Sequence, residues 1–137
     1  MKRDNDLIRA ILLEIESWPP GGPARQIGPG RASPHRPRIN FKIEGRQDNE
    51  VAEHLLIMRD AGLVDLPDIF RDSDGKIYEI SVQRMTNAGH DFLAASHDSK
   101  VWQKVKEKAG SLALDSFTDL LKSYAKATAA AHLGIQL

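Results

Sequence analysis

Residues 49–82 read NEVAEHLLIMRDAGLVDLPDIFRDSDGKIYEISV, and the folding of this stretch decides the architecture of the chain. The first half has helical spacing: Asp48 or Asn49 caps a helix running to Ala61, and Gly62 is placed to end it. "GLVDL" then starts a strand. Residues 68–82 predict a β-hairpin, with Ser73-Asp74-Gly75 as the turn and Ile77 and Ile80 as candidates for the buried side of the return strand. A helix that leads into a hairpin is the pattern of a winged helix, where the helix faces a DNA groove and the hairpin forms the wing.

Working outward, Asp4 or Asp6 caps a helix to about Ser17, with Leu7, Ile8, Ile11, Leu12 and Ile15 on one face. Trp18-Pro19-Pro20-Gly21-Gly22 stops it. Residues 19–38 contain six of the seven prolines and read as an exposed loop. RINFKIEG, 38–45, alternates Ile39, Phe41 and Ile43 inward and predicts a short strand. Past the hairpin, Thr86 or Asn87 caps a helix through about Ala95. Asp98 or Ser99 caps another through about Lys108, carrying Val101, Trp102 and Val105. After Ala109-Gly110, a final helix from about Asp115 to His132 has Leu114, Phe117, Leu121, Tyr124 and Thr128 at spacings of three and four.

The expected fold is mostly α with a small β-hairpin, an α+β chain. A winged helix-turn-helix-like domain is expected over 1–95, with a C-terminal helical extension over 96–137. The middle helix of a helix-turn-helix is not visible before Asn49, where the Pro/Gly-rich loop takes its place.

The bulk numbers exclude several classes. A chain of 137 residues, 41% hydrophobic, suits one cored domain with an appended helix. It has no cysteine, hence no disulfide, cysteine zinc site or thiol chemistry. Neither a signal peptide nor a membrane span is visible, and a cytoplasmic location is the expectation. Net charge is zero, but its distribution is uneven. From residue 19 to 46 six basic residues face one acidic; from 47 to 74 two basic face eight acidic.

Three segments, MKRDNDLIRAILLEIES, EVAEHLLIMRDAGLV and TNAGHDFLAASHDSKVWQKVKEKAG, together resemble a family of uncharacterised bacterial proteins often encoded in phages and prophages. Its members look like MKRDMDLIRKILLEIE, then a helix ending AGLI, then LTWEGHEFLD and a tryptophan-bearing helix. The departures here are the long 19–38 loop and RMTNAGHDFL in place of the Leu-Thr-Trp-Glu-Gly-His run. The resemblance implies a winged-helix architecture and carries no established activity.

On a helical wheel, Val51, Leu55 and Met58 form the core face of the 49–61 helix, with His54 on its flank as a hydrogen-bonded, partly buried residue. The opposite face carries Glu53, Leu56, Ile57 and Asp60. Two carboxylates and two aliphatics repel phosphates and match few base edges. The basic loop is the better nucleic-acid candidate: Arg25, Arg31, Arg36, Arg38, Lys42 and Arg46 for phosphates, with Gln47 and Asn49 for bases. Arg71 and Lys76 add contacts from the wing. His90 and His97 lack the spacing and third ligand of a metal site, so no metal or cofactor is expected. No catalytic frame appears, and the chain is expected not to be an enzyme. The leading expectation is a regulatory, phage- or prophage-associated protein that binds double-stranded DNA. The alternative is a protein-interaction module whose Glu53/Leu56/Ile57/Asp60 face binds a host or phage protein. The Ala-rich C-terminal helix is expected to pair in a homodimer.

Overall fold

A computed structural model describes residues 1–28 and 38–134 of the chain. The described residues form a mixed α+β fold of five helices and a small antiparallel sheet. Helix α1, Asn5–Glu16, starts where the Asp4 carboxylate accepts the backbone N–H groups of Asp6 and Leu7. Its stripe of Leu7, Ile8, Ile11, Leu12 and Ile15 is buried, as the three- and four-residue spacing requires.

Strand β1, Arg25–Ile27, lies inside the segment expected to be an irregular loop. It pairs antiparallel with β4, Ile77–Val82, placing Gln26 opposite Ser81. Residues 39–43, expected as a strand, make only an isolated parallel bridge, Asn40 to Gln26. Gln26 explains the exchange. Its backbone N–H donates to Ile39 and its carbonyl accepts from Phe41, while its buried side-chain oxygen accepts the Ile39 N–H at 2.9 Å. The 39–43 segment is therefore tied down by one residue, with Phe41 and Ile43 buried and Ile39 half-buried.

Helix α2, Asp48–Asp60, has Gln47 at its N-cap, without a side-chain capping bond, where Asp48 or Asn49 was expected. It buries Val51, His54, Leu55 and Met58 and ends before Gly62. Strands β2, Val64–Asp65, and β3, Asp68–Arg71, follow; β3 pairs with β4 as the expected hairpin. The Asp72 carboxylate holds the turn by accepting the N–H groups of Asp74 and Lys76. Phe70 pairs with Glu79 but Arg71 with Ile77, so Tyr78 is a bulge residue on β4. That extra residue lets Ile77 and Ile80, three apart, turn towards one core.

The sheet order is β1-β4-β3. A separate two-stranded ladder joins β2 to β5, Arg84–Met85, at the base of the hairpin. Helix α3, Asn87–Ala95, is capped by Thr86, and α4, Ser99–Ala109, by Asp98. Helix α5 spans Leu114–Leu133. The segment expected as an extension shares the main core. Trp102 of α4 and Phe117 of α5 meet edge-on at 5.6 Å between centroids, and both meet Phe92 of α3, at 6.0 and 6.2 Å. Beyond Leu121, burial on α5 thins out to Ala130, and Leu133 is 73% exposed. No described helix is long and apolar enough to cross a membrane.

Candidate nucleic-acid interface

The residues expected to meet phosphate divide into inward and outward groups. Arg38 turns inward: its side chain is 6% exposed and forms an ion pair with Glu79 of β4, which is 11% exposed. It also donates to the Gly28 carbonyl. Arg46 is held at 2.7 Å from Asp4 and 2.6 Å from Glu50, bridging the start of α1 to the first turn of α2. Both carboxylate contacts hold the Arg46 guanidinium above its ordinary range. Arg25 lies 5.0 Å over the Trp18 ring, whose own edge meets Phe41.

The outward group is smaller. Lys42 is exposed between buried Phe41 and Ile43, and Gln47, Asn49, Arg71 and Lys76 are exposed. Asn49 directs its side-chain oxygen to the Glu50 N–H, and Arg71 donates to the Gly75 carbonyl across the turn. Arg31 and Arg36 lie outside the described residues. The expected basic cluster is thus brought together only in part, since Arg38 and Arg46 serve the fold.

The outward face of α2 also differs from its helical wheel. Glu53 and Asp60 are exposed, but Leu56 and Ile57 are half-buried against the core. The helix packs on α1 and meets β4 as well, so its covered arc is wider than one stripe. The charges α2 exposes are Glu53, Arg59 and Asp60, with Arg59 paired to Asp60 at 3.5 Å, so the helix keeps a net acidic outer face.

The N-terminal MKRDND run, by contrast, binds the helices together. Trp102 Nε1–H and the Lys106 ammonium both donate to Asp6 at 2.8 Å. Burial alone would raise the Asp6 carboxyl, and the Lys106 and Trp102 hydrogen bonds outweigh it, leaving it below the usual range. Asp4 behaves likewise: desolvation is outweighed by Arg46 and by the N–H groups of Leu7 and Asp6. Asn5 and Arg3 reach the Gly110 carbonyl in the α4–α5 turn.

Helix α4 carries exposed cations outside the expected basic loop. Lys100, Lys104 and Lys108 are exposed at intervals of four, the spacing of one helix face, and that spacing was the available signal. Lys104 and Lys108 stand 5.3 and 6.0 Å from the Tyr124 ring of α5. A cleft of about 630 Å³ lies elsewhere, between Trp18, Arg25, Arg84 and His90. His90 and His97 do not share a helix face, because α3 ends at Ala95. Among the described residues no group of three or more His, Asp or Glu side chains is placed to hold a metal ion.

A family model described as "Hypothetical protein (DUF2513)" matches residues 2–115. An uncharacterized protein of Haemophilus influenzae (strain ATCC 51907 / DSM 11121 / KW20 / Rd) is 28% identical over 128 residues, covering 92% of this chain and 93% of its own. No solved structure matches.

Proposed function

The chain belongs to the DUF2513 hypothetical protein family, and from that premise we propose that it is a non-enzymatic winged-helix protein that binds double-stranded DNA in a regulatory role, in a phage or prophage setting. The observation that carries this reading is the sheet. Strand β1 precedes α2, the hairpin follows it, and β1 lies against the return strand in the order β1-β4-β3. That order supports reading the hairpin as a wing beside α2.

The manner of binding follows from charge. With Glu53 and Asp60 exposed, α2 does not enter a groove whose walls are phosphate. Contacts fall to exposed cations: Lys42, Arg71 and Lys76, with Arg31 and Arg36 from the segment outside the described residues. A gel shift on mixed-sequence duplex DNA at rising salt tests the function. Binding that weakens steeply with salt supports it, and no shift at 50 mM salt removes it.

The same acidic surface favours a second reading, in which Glu53 and Asp60 lead a face for a host or phage protein. Leu56 and Ile57 contribute less to that face than their wheel positions suggest, being half-buried. A homodimer through α5 is part of the proposal, supported by exposed Ala127, Ala129, Ala131 and Leu133 at its end. Light scattering across a concentration series reads it directly, and a monomer throughout removes it.

A further inference from the structure

We propose that the α4–α5 face is a phosphate-tracking surface for the nucleic-acid backbone, with Lys100, Lys104 and Lys108 as the contacting residues. The inference rests on the DNA-binding reading above and names a contact face which that reading did not include.

Three observations carry it. First, the lysines rise along one side of α4 over roughly 12 Å, at 1.5 Å per residue. None of the three forms an ion pair among the described residues. Roughly 12 Å of duplex axis presents three to four phosphates of one strand at 3.4 Å each. Second, the charges facing this row from its neighbours leave it positive. From α5 the row meets Tyr124, Thr128 and His132, which line a shallow groove of about 250 Å³ with Asp98, Lys100 and Lys104. Helical periodicity turns Asp115 and Asp119 of α5 away from Tyr124, by about 140° to 180°. Asp98 is engaged as the α4 cap, accepting the N–H groups of Lys100 and Val101. Glu107 flanks the row as the one acid on the exposed side of α4. Third, Tyr124 props Lys104 and Lys108 by cation–π contact, which reduces the side-chain freedom lost when they bind.

Lysines bind phosphate as point charges, and three of them at regular intervals match the regular spacing of charge along a nucleic-acid backbone. The acidity of α2 repels a backbone, so a duplex has reason to settle here.

The test is fluorescence anisotropy with a labelled 25-base-pair duplex across a salt series, using wild type, K100Q/K104Q/K108Q and K122Q/K126Q. The last pair lies on the far side of α5, and circular dichroism verifies that each variant is folded. Each phosphate neutralised contributes about 0.9 to the slope of log K against log salt, so the triple variant is expected to lose a slope of about 2 to 3. The control pair should lose less than about 1. Wild-type binding with an unchanged slope in the triple variant overturns this surface and leaves DNA binding standing. Absence of wild-type binding overturns both. Competition by polyglutamate as effective as that of unlabelled duplex would assign the face to an acidic protein and overturn the proposal.

Discussion

The backbone N–H of Asp4 donates to Nε2 of His54 at 2.9 Å, and Nδ1 of the same ring lies 2.9 Å from the Glu50 carbonyl oxygen. Because Nε2 accepts, the ring proton sits on Nδ1 and donates to Glu50. His54 is 1% exposed, so one neutral imidazole joins the start of α1 to the interior of α2. Replacing His54 with Ala leaves the Asp4 N–H without its acceptor and opens a cavity. Equilibrium urea unfolding should register a loss of about 2–4 kcal/mol. A loss below about 0.5 kcal/mol would mean the bridge is not a structural tie.

Asp6 and Asp4 set an acid limit. Both carboxyls lie below their ordinary range in the folded chain, so the unfolded state takes up protons first as pH falls. Their stabilisation is present above the ordinary carboxyl value of about 3.9 and is lost as pH drops through the lower folded values. Asp6→Asn should therefore reduce stability by less than about 1 kcal/mol at neutral pH, since the carboxylate is half exposed. The gap from wild type should close as pH falls below about 4. Thermal melts from pH 7 to 3 read this, and a gap that stays constant would mean charge is not the cause.

The helices were legible because their signals are local. Asp4, Thr86 and Asp98 cap as expected, and three- and four-residue spacing marks each buried stripe. The hairpin was legible from the turn and its flanking alternation. Strand β1 was not, since three residues in a proline-rich segment have no period, and their partner Ser81 lies 55 positions away from Gln26. RINFKIEG alternated correctly, yet alternation reports burial and does not specify a ladder partner. Of the candidate residues, Lys42, Arg71 and Lys76 are exposed, as their place in polar segments implies. Arg38 is not, and only the fold shows that Glu79 waits beside it. A wheel anchored on Val51 likewise had one stripe in view, whereas α2 has neighbours on two sides and covers Leu56 and Ile57.

Two glycines with positive φ should respond differently to alanine. Gly28, at φ +116°, runs against the Tyr78 carbonyl, and a Cβ there would overlap the backbone of β4. Gly62, at φ +76°, has nothing within 4 Å of the same atom. Gly62→Ala therefore bears only the left-handed backbone cost, about 1–2 kcal/mol. Gly28→Ala adds a clash that β1 relieves only by leaving the sheet. Hydrogen exchange should show lost protection at Gln26 and Ile27 in the Gly28 variant alone. Equal exchange in the two variants would mean the close approach is not maintained.

Arg38 offers the sharpest separation of fold from binding. Its ion pair with Glu79 is buried, and removing one partner leaves the other charge stranded. Arg38→Met should cost about 3–5 kcal/mol, while R38M/E79L should recover most of it, because a matched apolar pair removes both desolvation costs. Arg38→Met and the double variant, where folded, should bind duplex DNA with the wild-type salt slope, since the inward guanidinium contacts no phosphate. A slope reduced by about 1 in R38M/E79L would instead place Arg38 on the DNA. Unfolding curves and anisotropy on the same preparations decide between the two roles.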